Sequence, residues 1–342
     1  MLLACINLLT ASAQNIPGWS LVWSDEFTQL DGSAPDSTKW GYDTGAGGWG
    51  NSELQTYTTS TNNARIEGAQ LVIEARTNGS SYTSARLLTK GKWSWTYGRI
   101  EGRIKMPQGQ GIWPAFWMMG TNTASVGWPH CGEIDIMENI GSETNIVHAT
   151  IHGPGYSGGS GIGGPTHLTG AAFADAFHVF AVEWEANRLR WFMDGQPYFT
   201  VCPTNLPNSN NWVFTQPQFL LLNLAVGGNW PGKPNGSTTF PQRMIVDYIR
   251  VYTRSKVGAC AVPPTIKNLS RDSSTPLVHP ASKLSFQASS VCAANTHTFM
   301  LIKNSPSGGA WPILASVLGD DTIKSVADPM TVHRRFYQVV VQ

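Results

Sequence analysis

The chain is built from many short β-type runs separated by turn residues, and helical periodicity is almost absent from it. In residues 99–105 the alternation is clean, with two isoleucines on one face and charged side chains on the other. The Asp194-Gly195 pair supplies the positive φ angles of a type I′ turn, which predicts a hairpin over residues 188–199. Strands are predicted over residues 71–75, 98–106, 115–119, 133–138, 146–151 and 179–184. Such a series predicts an all-β fold, a two-sheet sandwich of the jelly-roll type.

Composition narrows the class of partner. Charged residues make up 13% of the 342 residues and the formal net charge is +1, so we expect neither nucleic acid nor an anionic membrane as a partner. Aromatic residues reach 11%, with 14 Trp, which suits flat rings that stack on neutral sugars. No apolar run reaches 18 residues, so no membrane span is expected.

The sequence predicts three segments. Residues 1–13 resemble a signal peptide clipped at its start, with an ordinary disordered apolar tail as the alternative and a lipoprotein interpretation around Cys5 as a weaker one. Residues 14–254 are predicted to form the main β domain, and residues 255–342 a small accessory β domain of open role. Export permits disulfides, and a Cys260–Cys292 pair is preferred because both residues lie in the accessory domain, whereas Cys131 could equally be a buried free thiol. We expect a monomer that is secreted or held at a bacterial cell surface.

Three carboxylates, Glu133, Asp135 and Glu138, lie within six residues otherwise filled by Ile and Met. Acids this close repel one another, which indicates acid–base chemistry or ion binding. Strict alternation would put the third acid at position 137, which is Met, so we predict a one-residue β-bulge near Met137 that returns Glu138 to the acidic face. On a concave sheet the two Glu side chains could then approach to the ~5 to 5.5 Å of retaining glycoside hydrolysis. A solvated acidic face and a calcium site are the alternatives.

Residues 133–138 resemble the active-site signature of glycoside hydrolase family 16, in the bulged form found in bacterial endo-β-1,3-glucanases (laminarinases). The resemblance covers roughly residues 19–254, with similar segments at 23–27, 48–57, 109–118, 222–231 and 246–252. It implies a concanavalin A-like β-jelly-roll with an open cleft. It also implies an enzyme that hydrolyses laminarin-type β-1,3-glucan, with β-1,3-1,4-glucan as a second substrate, and needs no cofactor for catalysis.

The resemblance implies one role for each acid. Glu133 is expected to be the nucleophile and Glu138 the acid/base of a double displacement. Asp135 is expected to hydrogen-bond Glu133 and to help set the pKa values of the two Glu residues apart.

Further side chains are candidate sugar contacts. Trp113 and Trp117 are four apart on a predicted strand and so share a face, and Trp230 lies in a loop setting that favours exposure. The full set of predicted substrate-binding residues is Trp113, Trp117, Trp128, Trp230, Asn51, Glu53, Arg86 and His152. Buried core tryptophans and a solvated loop Glu53 are the alternatives.

His148 and His152 have the spacing of a zinc-protease helix, but Ala149 stands where such a motif has Glu, and the run is a predicted strand. A catalytic zinc is therefore not expected. His152 is the preferred substrate contact or partner of Asp135 or Glu138, with a satisfied buried His as the alternative.

One structural calcium ion is implied by the resemblance, on the convex side and away from the acids. The matching positions are Glu26, the backbone carbonyl of Gly68, and Asp247. An ordinary surface acid is the alternative for Asp247.

Rival functions share the same sandwich. A non-catalytic β-glucan-binding (lectin-like) protein can use the same tryptophans but lacks the acids. Agarases, carrageenases and xyloglucan transglycosylases are further relatives. Transglycosylases usually keep unbulged acids at i, i+2 and i+4, and enzymes that act on sulfated galactans would be expected to have a more basic cleft.

Overall fold

The computed structural model describes residues 16–255 in full and the backbone of six further strands between residues 265 and 341. By internal contacts it divides into a unit over Leu21–Thr253 and a second unit that includes the C-terminal strands. The predicted signal peptide of residues 1–13, Cys5 and the Cys260–Cys292 pair lie outside the described residues.

The first unit consists almost wholly of strands. Between residues 16 and 255 the strands are β1 (Trp19–Asp25), β2 (Gly41–Asp43), β3 (Gln55–Tyr57), β4 (Ala64–Ile66), β5 (Leu71–Asn78), β6 (Ser81–Ser84), β7 (Arg86–Leu88), β8 (Gly98–Lys105), β9 (Ile112–Gly120), β10 (Glu133–Glu138), β11 (Ile146–His152), β12 (Ile162–His167), β13 (His178–Glu185), β14 (Arg188–Met193), β15 (Gln196–Val201), β16 (Gln218–Val226) and β17 (Gln242–Arg254). One α-helical turn, α1 (Thr123–Val126), and 3-10 turns at Gly48–Gly50, Gly158–Ser160, Pro203–Asn205 and Ser209–Asn211 complete this part.

These strands form two sheets. The larger sheet has the order β15-β14-β13-β8-β17-β5-β6-β3, with β1 added on β17 and β4 on β5. The smaller sheet has the order β12-β11-β10-β9-β16-β7-β2. Its neighbouring strands are all antiparallel, and β10 lies inside the sheet between β9 and β11.

A large apolar core joins the inner faces of both sheets. Ile134, Ile136 and Met137 of β10 belong to it, together with Trp184 of β13 and Trp191 of β14. All five side chains are fully buried. Burial on this scale is the main term that stabilises a β sandwich, at about 1.5–3 kcal/mol for each large side chain. The apolar face of the acidic strand is therefore anchored in the core.

All the predicted strands are present. Their ends agree with the prediction to within one residue, except that β5 extends to Asn78 and β9 begins at Ile112. The 188–199 hairpin is formed by β14 and β15, and Asp194 and Gly195 have φ angles of 49° and 78°, as a type I′ turn requires. The all-β sandwich prediction is confirmed.

The C-terminal strands form two small antiparallel sheets. The strands are β18 (Thr265–Arg271), β19 (Ala281–Ser289), β20 (Thr298–Lys303), β21 (Ile313–Leu318), β22 (Ile323–Pro329) and β23 (Tyr337–Val341). Their sheet orders are β18-β19-β22 and β21-β20-β23. No helix in the described part of the chain is long and apolar enough to cross a membrane.

Candidate active site

The register of β10 puts the three acids on one face. Glu133, Asp135 and Glu138 lie opposite Met119, Trp117 and Ala115 of β9, which are spaced by two residues and so share a side of the sheet. The pairing with β11 shows the same shift, because Glu133, Asp135 and Glu138 lie opposite His152, Thr150 and His148. Between Asp135 and Glu138 the strand has one residue more than its partners. The predicted bulge is confirmed.

At the bulge, the backbone carbonyl of Asp135 accepts a hydrogen bond from a tryptophan of the core. Trp191, on the larger sheet, donates its indole N–H to the carbonyl oxygen of Asp135 at 2.8 Å. A bulge disrupts the ladder locally, and a buried carbonyl without a partner is costly. Trp191 thus ties the irregular point of β10 to the opposite sheet.

Each acid has a defined set of neighbours. Trp128 donates its indole N–H to Oε2 of Glu133 at 2.8 Å, and Trp113 donates to Oε1 of Glu138 at 3.1 Å. His152 places Nε2 at 3.2 Å from Oδ2 of Asp135 and 3.8 Å from Oε1 of Glu133. His152 is therefore the partner of Asp135, one of the roles that the sequence predicted for it.

Burial raises the pKa of all three acids, because a low-dielectric site disfavours their charged forms. The pKa of Glu133 is raised to about 8 by burial and then by the charge of Asp135, while His152 and the Trp128 hydrogen bond act in the opposite direction. The pKa of Glu138 is raised well above its ordinary value by burial and by repulsion from both other acids. Glu138 is thus suited to hold a proton at neutral pH.

The acids lie in a cleft of about 1070 Å³. All eight residues that the sequence predicted to contact substrate line it: Trp113, Trp117, Trp128, Trp230, Asn51, Glu53, Arg86 and His152. They come from β7, β9, β11 and three loops, so the fold gathers residues as far apart as 51 and 230 around one cavity. The volume is large for a small-molecule pocket, since such sites usually have ≈ 300–1,000 Å³.

The tryptophans of the cleft are of two kinds. Trp128 and Trp230 are 47% and 41% exposed, so each presents a ring on which a sugar can stack. Trp117 is only 8% exposed and donates its N–H to Oδ1 of Asn223 at 2.7 Å. Trp113 packs edge-to-face on Trp230, with ring centroids 5.5 Å apart. Trp117 is thus a wall of the cleft, whereas Trp128 and Trp230 are open platforms.

Arg86 contacts two tryptophans and an aspartate at the surface of the cleft. Its guanidinium carbon lies 5.0 and 4.8 Å from the ring centroids of Trp49 and Trp117, and its Nε pairs with Oδ2 of Asp43 at 3.1 Å. These cation–π contacts and the ion pair restrict the orientation of the guanidinium. Arg86 is thereby held at the cleft surface.

Glu53 is also held in place. It accepts hydrogen bonds from Asn51 at 3.3 Å, Gln55 at 2.6 Å and Tyr57 at 3.3 Å. Burial raises the pKa of Glu53. The solvated loop that was the alternative for this residue is not what the structure shows.

Known proteins resemble this chain in sequence and in fold. The sequence matches the model for glycosyl hydrolases family 16 over residues 51–250. A beta-glucanase of Rhodothermus marinus is 43% identical over 265 residues, which cover 74% of this chain and 91% of the relative. The chain belongs to glycoside hydrolase family 16. The laminarinase catalytic domain of Thermotoga maritima is 48% identical, with a TM-score of 0.65, and the match covers 69% of this chain and 98% of that one. The laminarinase of Rhodothermus marinus is 44% identical with a TM-score of 0.64, over 69% of this chain and 98% of its own.

Several residues of this family 16 chain line the cleft in addition to those eight and the three acids. They are Trp49, Gly50, Ala115, Met119, His148, Thr150, Gly158, Gly159, Gly161, Asn223 and Asn229. Strand alternation is enough to predict two of them, because His148 and Thr150 lie on the same face of β11 as His152. His148 lies 3.1 Å from Glu143 and packs edge-to-face on Trp230, with ring centroids 5.0 Å apart.

Gly161 belongs to a glycine-rich loop that lines the cleft and packs against His152. A β-carbon at this position would lie 2.5 Å from Cε1 of His152, closer than two carbon atoms can approach. Only glycine lets this loop pack directly on the imidazole ring. Nothing in the local sequence marks Gly161 among the other glycines of residues 153–164 as the one in contact.

The residues predicted for calcium make other bonds in this structure. Arg250 binds both carboxylate oxygens of Glu26 at 2.9 and 2.8 Å, and Arg103 donates to Oδ2 of Asp247 at 2.7 Å. The Glu26 carboxylate is thus neutralised by a guanidinium. Carboxylate and backbone carbonyl oxygens are the kind of ligand that calcium accepts. Calcium binding stays a prediction.

The two described cysteines are free thiols. Cys131 is buried and Cys202 is partly exposed. Burial raises the pKa of the Cys131 thiol. This is the free-thiol alternative that the sequence left open for Cys131.

Proposed function

We propose that the protein is an exported, retaining endo-β-1,3-glucanase that hydrolyses laminarin-type glucan, with mixed-linkage β-1,3-1,4-glucan as a second substrate. The observation that carries the proposal is the bulged strand, which presents Glu133, Asp135 and Glu138 together on one face of an open cleft. The laminarinases that this chain resembles at 44–48% identity support the choice of substrate.

The proposed reaction has two displacements. The carboxylate of Glu133 attacks the anomeric carbon while the carboxyl group of Glu138 gives its proton to the leaving glycosidic oxygen. Glu138, now ionised, takes a proton from a water molecule that attacks the same carbon. The bond to Glu133 then breaks and its carboxylate is restored. Two inversions at one carbon leave the configuration unchanged.

The surroundings of the acids support these roles. Glu133 is nearer to His152 and accepts a hydrogen bond from Trp128, and both favour its ionised form. Burial and repulsion from two neighbouring acids raise the pKa of Glu138 well above its ordinary value. This difference suits a nucleophile at position 133 and a proton donor at position 138.

The shape of the cleft supports internal cleavage of a chain. Exposed rings flank the acids at Trp128 and Trp230, so sugars can stack on both sides of the bond to be broken. The low net charge of +1 suits a neutral polysaccharide. Export is proposed from the apolar residues before Gln14, which lie outside the described residues.

A reducing-sugar assay on laminarin, lichenan, agarose and xyloglucan tests the proposal. We expect activity on laminarin and a lower rate on lichenan, with none on the other two. The Glu133→Gln and Glu138→Gln variants should lose about 10³-fold or more of kcat while still binding laminarin, because each removes a group that acts only in the chemical steps. Glu185→Gln, at the end of β13, is the matched control and should keep full activity. If wild-type protein cleaves none of the four but binds laminarin, the lectin-like alternative is correct.

A further inference from the structure

The two glutamates of β10 share an unusual feature: each accepts a hydrogen bond from an indole. Trp128 donates to Oε2 of Glu133 at 2.8 Å and Trp113 donates to Oε1 of Glu138 at 3.1 Å. The two donors come from different elements, the loop before β10 and strand β9. Neither hydrogen bond follows from a role as a sugar platform, because a platform uses the face of the ring and not its N–H.

Trp128 is the more informative of the two. Its ring is 47% exposed, so water could satisfy its N–H, yet the N–H points inward to Glu133. The centroid of this ring also lies 6.0 Å from that of the His152 imidazole. The side chain is therefore placed to contact a sugar and the nucleophile at the same time.

The charges around Glu133 show what this bond does. Burial and the charge of Asp135 oppose ionisation of Glu133, and His152 and Arg86 favour it. The Nε2 atom of His152 lies 3.8 Å from Oε1 of Glu133, which is beyond hydrogen-bond distance. The indole N–H of Trp128, by contrast, contacts the carboxylate directly at 2.8 Å.

We propose that Trp128 is the positioning residue of the nucleophile, its indole N–H holding Oε2 of Glu133, and that Trp113 holds Oε1 of Glu138 in the same way. This inference rests on the proposed function for the roles of the two acids. Fixing one oxygen of Glu133 restricts rotation of the carboxylate and leaves Oε1 as the oxygen that can reach the anomeric carbon. Substrate that stacks on Trp128 would press the same ring against the acid.

Phenylalanine variants separate the hydrogen bond from the ring. Trp128→Phe keeps an aromatic platform and removes the donor, so the ionised form of Glu133 loses support and its pKa rises. Activity needs ionised Glu133, so the acidic limb of the kcat/KM profile should move to higher pH, by about one unit for the loss of a hydrogen bond to a charged group. The basic limb should stay in place.

Trp113→Phe is the matched variant. It removes the donor to Glu138, whose protonated form is needed, so the pKa of Glu138 rises and the basic limb moves to higher pH. The two variants thus move opposite limbs of one profile. If Trp128 were only a sugar platform, Trp128→Phe would raise KM and leave both limbs unmoved, and that result would overturn the inference.

A readout without turnover keeps the test independent of the proposed function. In protein labelled with ¹⁵N-tryptophan, the indole resonance missing from Trp128→Phe is assigned to Trp128. Its ¹H shift should titrate with pH in the wild type and lose that titration in Glu133→Gln. A Trp128 resonance that is insensitive to pH in the wild type contradicts the hydrogen bond, whether or not the protein cleaves laminarin. Inactivity on every glucan with a normal titration would reject the proposed function alone.

Discussion

The indole N–H of Trp191 donates a 2.8 Å hydrogen bond to the backbone carbonyl oxygen of Asp135, and so links the core of the larger sheet to the bulge that carries the acids. We expect Trp191→Phe to destabilise the protein by about 1–3 kcal/mol, because the buried carbonyl loses its partner. We also expect kcat to fall about tenfold or more, since small misplacements of catalytic groups are costly. Thermal denaturation and initial rates on laminarin measure the two effects.

Trp184 provides a matched control for that variant. It is as fully buried as Trp191 and donates its N–H to the carbonyl oxygen of Phe214 at 2.9 Å, rather than to the strand that carries the acids. Trp184→Phe should lose a similar amount of stability and keep its kcat. Equal losses of kcat in the two variants would mean that Trp191 acts only through general stability.

His152 and Asp135 form the second relationship that can be tested. With Nε2 of His152 3.2 Å from Asp135 and its charge favouring ionised Glu133, His152→Ala should raise the pKa of Glu133 further. Because activity needs the ionised nucleophile, kcat/KM near pH 6 should fall by about 10- to 100-fold, with a smaller loss at higher pH. A uniform loss at every pH, with a KM effect alone, would assign His152 to substrate binding only.

The acid cluster should also make the stability of the fold depend on pH. The pKa of Glu138 is raised in the folded state, so the folded protein binds the proton more tightly than the unfolded chain does. Stability contributed by this group is therefore present at low pH and is lost as the pH rises above about 4.5, the ordinary value for Glu. Glu138→Gln removes the titration. Its Tm should exceed that of the wild type by several degrees at pH 8 and by much less at pH 5.

Differential scanning fluorimetry at the two pH values checks this expectation. Glu185→Gln serves again as the control, because it changes a partly exposed carboxylate near Arg188 and should shift Tm little at either pH. A Glu138→Gln variant less stable than the wild type at pH 8 would show that the acid is stabilised rather than strained by its site.

Local sequence predicted the scaffold of this site well. The odd spacing of the acids around Met137 was enough to predict the bulge, because the period of a strand is two and only an extra residue restores the face. The Asp194-Gly195 turn and the apolar back of β10 followed from equally local rules.

Contacts that join distant segments were not predictable in the same way. The contacts of Arg86 with Trp49 and Trp117 bring together a loop and two strands, and their geometry depends on how the sheets curve. The hydrogen bond from Trp191 to the bulge crosses between sheets. Alternation assigns a side chain to a face, but it gives no information on which atom it meets there.

Calcium removal tests the remaining prediction about the convex side. If an ion binds through Glu26, the backbone carbonyl of Gly68 and Asp247, EDTA should lower Tm by several degrees, and added calcium should restore it, since a ligand that binds only the folded state stabilises it. Asp247→Asn should reduce the response. An unchanged Tm in EDTA would show that the Arg250 and Arg103 ion pairs hold this region without a metal.

The stereochemistry of the first product tests the central claim most directly. Proton NMR of laminarin hydrolysis, recorded in the first minutes before mutarotation, reports the anomeric configuration of the new reducing end. Double displacement at Glu133 with Glu138 as acid/base predicts that the β-anomer appears first and the α-anomer grows in later. Initial release of the α-anomer would mean that water attacks directly and that Glu133 is not the nucleophile.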